Sequence, residues 1–402
     1  MAQAKLTPQQ LQEAINLKAQ YETVTEASKQ TGIPIETLRH RMAAAVRQGY
    51  QPSNGQSFEL SLKERIQQLE SLLRVQQAQQ LDAEFVKSTI IKLKEQPVTV
   101  PKWLINTKKS AKNAGIPTLF ASDWHWGEVV DPKQIGGVNE FNLEIAQNRA
   151  KLMITKAIDL LQNHIAHNKY EGIVFALGGD MSTGDIHEEL MATNEKEVMP
   201  TILDMFGVLI WCIDTLAKEF GNVFVPCVSG NHGRNTHKIR MKGRNFTNFD
   251  WLLYQFLAKH FENDKRVKFL IPDGPDAYYS IYGHRYLLTH GDQFRGGDGV
   301  IGALGPIIRG DHKKRSRNAQ IDMAYDTMLI GHWHQLIQLQ RLIVNGSLKG
   351  YDEYAYSNNF GFEEPRQALW ITHPEHGITF SMAVNVGSKS EKEYSSWVSW
   401  KN

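Results

Sequence analysis

The 402-residue sequence predicts an α/β layered domain preceded by a small helical unit. Three observations carry that prediction. From Ile116 onward, short apolar runs alternate with longer amphipathic stretches. Motifs carrying Asp, Asn or His follow directly on those runs, where α/β folds place their sites. Ahead of them, residues 7–50 show only helical spacing.

The strand-like runs are 116–121, 172–178, 222–229, 284–290, 326–331 and 340–345, with two further strands in 369–384. The helical stretches are 142–167, 198–219 and 248–263. In the N-terminal unit, Thr7-Pro8 supplies an N-cap and a proline suited to the first helical turn. Residues 24–41 read as helix, Gly32-containing turn, helix. Residues 51–57 have linker composition. Between 58 and 95, Leu62, Ile66, Leu69 and Leu73 recur four and three apart, a coiled-coil seam expected to support self-association. Pro97 and Pro101 end that segment. The domains expected are therefore a helical unit at 1–50, a linker and helix at 51–98, an α/β domain at 99–390 and a tail at 391–402.

Bulk composition narrows the function classes. A net charge of +2 announces no nucleic-acid partner by itself, so local clusters must carry that reading. The N-terminus lacks the apolar core of a signal peptide, and no apolar run approaches the roughly 20 residues needed to span a membrane. Cys212 and Cys227 make no disulfide framework, and Cys227, within an apolar run, is expected to be a buried thiol. A reducing cytoplasm is the expected compartment.

The chemistry lies in Asp123-Trp124-His125, Gly178-Gly179-Asp180, Gly230-Asn231-His232, Thr289-His290-Gly291-Asp292 and Gly331-His332-Trp333-His334. A two-metal hydrolase needs oxygen and imidazole ligands projected from several strand ends toward one point, and a carboxylate to bridge the ions. In an extended 332–334 segment, His332 and His334 would share one face and reach adjacent ions. By the same alternation Trp124 and Trp333 should pack into the core, while Trp126 can stack a base or fill the core. Mixed imidazole and carboxylate ligands suit two divalent ions, manganese first, with iron or zinc as alternatives.

These motifs, in this order and strand context, resemble those of the calcineurin-like metallophosphoesterase superfamily over about 115–390. The resemblance implies a four-layer αββα sandwich. It implies that Asp123, His125, Asp180 and His334 hold one metal, and that Asp180, Asn231, His290 and His332 hold the other. It further implies a hydroxide between the ions attacking in line, Asp180 as the bridging catalytic ligand and His232 assisting the leaving oxygen. The chain departs from the family where an acid usually follows the third motif: Gly233-Arg234 stands there. Asp185, Glu188 or Glu189 are the candidates to support His232 instead.

Two basic clusters bear on substrate. Arg234, Lys238, Arg240, Lys242 and Arg244 follow the third motif; Lys313, Lys314 and Arg315 follow the fourth. Both are expected on loops at the metal rim, an array suited to several phosphates along a strand. The helical unit resembles a helix-turn-helix domain of the resolvase or phage-terminase type, with Thr37, Arg39, His40, Arg41 and Arg47 presented to DNA. Together these features lead to a metal-dependent DNA nuclease, resembling the DNA-repair exonuclease branch and suggestive of a phage origin. A phosphatase or nucleotide phosphodiesterase with small substrates, and a DNA-binding assembly protein with a vestigial metal site, are the alternatives.

Overall fold

A computed structural model describes residues 6–52, 100–105, 115–166, 169–296, 302 and 304–387. The helix expected at 58–95, the tail at 391–402 and most of the glycine-rich loop at 296–299 lie outside the described residues. The chain divides into two compact units, 1–93 and 94–402.

Among its described residues the first unit has three helices: α1 (Pro8–Gln20), α2 (Val24–Thr31) and α3 (Ile35–Arg47). Thr7 caps α1 in a reciprocal capping box with Gln10, so two otherwise orphaned amides are satisfied at once. Gly32 ends α2 at φ 69°, a left-handed conformation that costs glycine little. Ala14, Ala27, Leu38 and Met42 close a small core. On α3, Arg39, His40 and Arg47 are exposed while Thr37 and Arg41 are half-buried. Arg39 is paired with Glu36 at 2.7 Å.

Among its described residues the second unit has a short helix, α4 (Lys102–Ile105), followed by two sheets. The first sheet has the order β11-β10-β1-β2-β3-β4. Its members are β1 (Ile116–Ala121), β2 (Ile173–Leu177), β3 (Val223–Pro226), β4 (Val267–Leu270), β10 (Arg366–His373) and β11 (Gly377–Asn385). Strands β1 to β4 pair in parallel, and β10 and β11 add antiparallel strands beyond β1. The second sheet has the order β5-β6-β7-β9-β8, with β5 (Asp276–Ile281), β6 (His284–Thr289), β7 (Thr327–Ile330), β8 (Ile337–Leu339) and β9 (Leu342–Val344). β6, β7 and β9 run parallel.

Burial explains why the strands read as continuous apolar runs. Every residue of β1 and β2 is buried, because both faces of that sheet are covered. One face meets α5 (Leu143–Asn163), α7 (Val198–Phe220) and α8 (Phe249–His260), which follow and flank a short α6 (Glu188–Thr193). The other face meets the second sheet through Phe120, Val174, Phe224, Tyr279, Tyr286 and Trp370. Tyr279 and Tyr286 stack at 5.2 Å, and Tyr286 and Trp370 lie 6.2 Å apart. The far face of the second sheet is closed by Ile307 of α9 (Leu304–Gln320). A last short helix, α10, spans Glu353–Ser357. Helices, sheet, sheet and helix therefore form four layers.

Two expectations need correction. Helix α7 is long and apolar enough to cross a membrane by length and composition, contrary to the reading that no run approaches that length. Its buried face, including Ile202, Met205, Leu209 and Cys212, packs into the core beside the first sheet. Residues 304–320 are a helix rather than the loop expected for the second basic cluster. Cys212 and Cys227 are both buried free thiols.

Trp370→Ala should destabilise the fold by about 3–5 kcal/mol, because it empties the space between the sheets. Urea denaturation of the purified protein measures this, and a loss near zero would contradict the packing described.

Candidate metal centre

The chemistry-bearing side chains all leave from the C-terminal ends of strands. Asp123 and His125 follow β1, Asp180 follows β2, Asn231 and His232 follow β3, His290 follows β6, and His332 and His334 follow β7. The two sheets thus converge on one point at their shared end.

The loops are fixed to each other by main-chain bonds. The amides of Asp123 and His125 donate to the carbonyls of Gly179 and Asp180 at 3.0 and 3.1 Å, and Gly331 donates to His290 at 2.9 Å. The His332 amide donates to Asp123 Oδ1 at 2.8 Å, joining the sheets through a candidate ligand. Ser347 Oγ donates to the Asp123 carbonyl at 2.8 Å. Close approach explains the motif glycines: a Cβ at Gly230 would overlap the Asp180 carboxylate, and one at Gly331 would overlap Asp123 and Ser122.

Asp123, His125, Asp180, His332 and His334 all have positive φ, between 48° and 67°. That region is costly for residues other than glycine, and such strain persists only where the surroundings over-determine it. The extended 332–334 segment expected from sequence is therefore not what forms. Both histidines reach the site through left-handed turns.

Three groups of side chains converge: Asp123, His125 and His334; His125, Asp180 and His232; Asp180, His290 and His332. Within each, one potential ligand atom per residue lies within 4.8 Å of the others. His125 Nε2 faces His334 Nε2 at 3.0 Å, and His334 Nε2 lies 3.5 Å from Asp123 Oδ1. His290 Nε2 lies 2.9 Å from Asp180 Oδ2 and 3.2 Å from Asn231 Oδ1. Imidazole nitrogens and carboxylate oxygens aimed at common points, all but buried, are the donor set that two divalent transition ions require. The residues fit such a pair, with Asp180 in reach of both halves.

Several supporting groups carry no motif. Glu128 Oε2 lies 3.3 Å from His125 Nδ1, where an outer-sphere carboxylate would stand behind a metal-bound imidazole. Lys349 Nζ reaches Glu128 at 2.7 Å and Asp352 at 2.5 Å in a fully buried relay. His290 Nδ1 meets the Gly178 carbonyl at 2.8 Å, which fixes its tautomer with Nε2 toward the site. Asp250 Oδ2 accepts the amides of both Asp180 and Gly230 at 3.0 Å. Burial and the neighbouring Asp180 raise the Asp250 carboxyl to about 6.

The acid expected behind His232 is replaced by main chain. His232 Nδ1 meets the carbonyl of Thr183 at 3.0 Å, and its amide donates to Asp180 Oδ1 at 2.6 Å. Among the described residues, no carboxylate from Asp185, Glu188 or Glu189 bonds its ring. Burial, against the pull of Asp180, lowers the His232 imidazole to about 3.

The basic residues divide. Arg234 Nη1 donates to the Asn231 carbonyl at 2.7 Å and its Nε to Thr236 at 3.1 Å, so the guanidinium first braces its own loop. Arg244 is forked onto Asp292 at 2.9 Å. Asn231, Arg234, Arg240 and Arg244 line one small cleft beside the centre. Lys238, Arg240 and Lys242 are exposed. The second cluster lies on α9 and not on a rim loop. There Lys313 is exposed, but Lys314 is buried against Asp276. Arg315 is held by Asp311 and by the carbonyls of Tyr325, Asp326 and Arg341. Trp124 and Trp126 are fully buried, 5.8 Å apart, and Trp126 Nε1 donates to Asp204 at 2.8 Å, so neither offers a stacking face. Trp333 packs against the core of the second sheet.

No family model and no curated protein matches the chain. Solved structures do align with it. A Vps29 variant from Entamoeba histolytica is 12% identical, covering 67% of this chain and 99% of that one with a TM-score of 0.28. A Streptococcus pneumoniae protein described as a predicted phosphoesterase is 12% identical, covering 67% and 97% with a TM-score of 0.26. A Staphylococcus aureus protein described as a 5′-nucleotidase is 13% identical, covering 69% and 55% with a TM-score of 0.31. Likeness this remote assigns no role to any residue here.

Removing the carboxylate that orients His125, as Glu128→Ala, should weaken divalent-metal binding about 10- to 100-fold. Titration calorimetry reads this, and unchanged affinity would show that Glu128 has no such part. A second outcome concerns protons. Burial alone lowers the His290 pKa, but Asp180 and then Asp123 carry it up from 6.5 to about 10. In the metal-free protein the stabilisation from that pair is therefore complete below pH 6.5 and lost as pH rises through about 10. A cation must displace this proton, so metal affinity should fall as pH falls, with proton release visible as buffer-dependent binding heat. Heats independent of buffer would contradict it.

Proposed function

We propose that this protein is a dinuclear-metal-dependent phosphodiesterase acting on DNA. The observation that carries the reading is the set of three carboxylate–imidazole groups at the joint end of two sheets, linked by His125 and Asp180. Asp123, His125, Asp180 and His334 would hold one ion; Asp180, Asn231, His290 and His332 would hold the other. Manganese suits these donors, with iron or zinc as alternatives. When bound, such a pair polarises a phosphoryl oxygen and makes water nucleophilic at neutral pH.

The chain's own residues do the rest. Asn231 contributes a neutral oxygen, so its half of the site keeps more positive charge for an anionic substrate. His232 stands beside His125, ring centroids 4.7 Å apart, with Nδ1 anchored on Thr183 and Nε2 left for the substrate. With the Nδ1–H spent on the Thr183 carbonyl, Nε2 donates to the phosphoryl group or the departing oxygen only as the imidazolium, a form that the negative charge of a bound phosphodiester favours. Lys238, Arg240 and Lys242 supply exposed cations on the loop next to Asn231, an arrangement that suits a chain of phosphates. Lys314 and Arg315 take no part in this reading, since both are committed to α9 and its neighbours. The three-helix unit, with Arg39, His40, Arg41, Arg47 and Thr37 on α3, would bring the catalytic unit to duplex. A single-phosphate substrate would need neither the basic loop nor the helical unit.

Purified protein with manganese should cut linear or circular DNA. Asp180→Asn should abolish cutting, and His232→Ala should slow it by about 100-fold or more. If small phosphoesters are hydrolysed while neither DNA nor RNA is, the nuclease reading fails and a small-substrate phosphoesterase replaces it.

A further inference from the structure

Within residues 354–362, the rings of Tyr354, Tyr356, Phe360 and Phe362 are exposed to 66%, 51%, 51% and 54%. The rings pack edge-on against one another and Tyr351, and so many exposed aromatics on one short segment make a candidate interaction surface. The segment is not loosely held. Asp352 caps α10 through the Ala355 amide, the Phe360 amide donates to the Ala355 carbonyl, and Tyr351 Oη donates to the Phe360 carbonyl at 2.8 Å.

Both ends of this segment are linked, through intervening groups, to the same half of the centre. At one end, Asp352 pairs with Lys349, Lys349 with Glu128, and Glu128 with His125. At the other, Glu363 accepts the amide of Leu336, two residues beyond His334, at 3.0 Å. The aromatic segment therefore adjoins the half of the centre built from Asp123, His125 and His334. The basic loop adjoins the other half, through Arg234 on the Asn231 carbonyl and Arg244 on Asp292 beside His290.

The carboxylates among the rings are largely committed within the fold. Asp352 is paired with Lys349, Glu353 accepts the Asp131 amide at 2.7 Å, and Glu363 is paired with Arg366 at 2.7 Å. What the segment offers outward is π-surface, with the exposed Glu364 at its edge. Aromatic rings on one flank of a phosphodiester-binding centre and cations on the other match the two faces of an unpaired nucleic-acid strand.

We propose that residues 354–362 form a stacking platform for the bases of a single-stranded or frayed strand whose phosphate lies at the metal centre. This rests on the phosphodiesterase reading and names the form of its substrate: bases unpaired beside the scissile phosphate, recognised by stacking and so with little sequence preference.

The test is equilibrium binding of the full-length chain, with calcium in place of manganese to hold off cleavage, to a fluorescent oligothymidylate and to an abasic strand of equal length. The wild type should bind the base-bearing strand at least about tenfold more tightly, the effect of one stacked base or more. Tyr354→Ala combined with Phe360→Ala should erase that preference. In the wild type, a strand carrying 5-iodouracil should photocrosslink within residues 350–365. Equal affinity for both strands, a preference that survives in the double variant, or crosslinks confined elsewhere would overturn the proposal. A patch that captures protein without any base preference would do the same. Hydrolysis of bis(p-nitrophenyl) phosphate by the wild type with manganese reads the metal centre separately. Its absence would sink the phosphodiesterase reading while the binding measurement still decides the platform.

Discussion

The candidate metal centre is arranged around the Asp180 carboxylate. It is buried at the end of β2, with one oxygen accepting the His232 amide at 2.6 Å and the other facing His290 at 2.9 Å. Burial of a charge is costly unless opposite charge or hydrogen bonds answer it. Here imidazoles surround it and hold its pKa well below the ordinary value against the opposing effect of burial. The backbone bends to serve it: Asp180 itself has φ 50°, and Gly230 must be a glycine to let the carboxylate pass. A second carboxylate, Asp250, gathers the Asp180 and Gly230 amides and so fixes the β2 and β3 loops to each other.

The two-sheet architecture follows from that requirement. A single parallel sheet offers only one row of strand ends. Bringing β6 and β7 of a second sheet against the first lets His290, His332 and His334 face Asp123, His125, Asp180 and Asn231. The aromatic contacts of Phe120, Tyr279, Tyr286 and Trp370 hold the sheets at that distance. Packing remote from the centre thereby sets its geometry.

Much of this was legible in the sequence because the relevant signals are local. The run at 116–121 coincides with β1 and the runs at 172–178 and 222–229 contain the shorter β2 and β3, with the motifs at or just past their ends. Pattern also placed Trp124 in the core. The failures are tertiary. No spacing rule foretells that His332 and His334 occupy left-handed turns, since the strain is sustained by contacts with Asp123 and its neighbours. Lys314 looked like a rim cation until Asp276, from a strand far away in sequence, claimed it. Glu128, Lys349, Asp250 and the Thr183 carbonyl carry no motif, and only the fold brings them to the ligands. The glycine-proline start of residues 304–320 concealed a helix whose apolar face is narrow.

The central claim is that this constellation holds two ions through one shared carboxylate. Elemental analysis of the full-length protein after reconstitution with manganese and gel filtration tests it most directly. About two ions per chain in the wild type, with loss of both or a fall to one or fewer in Asp180→Asn, is the result expected of a bridging ligand. Fewer than about one ion per chain in the wild type, or an undiminished content in Asp180→Asn, would contradict the account.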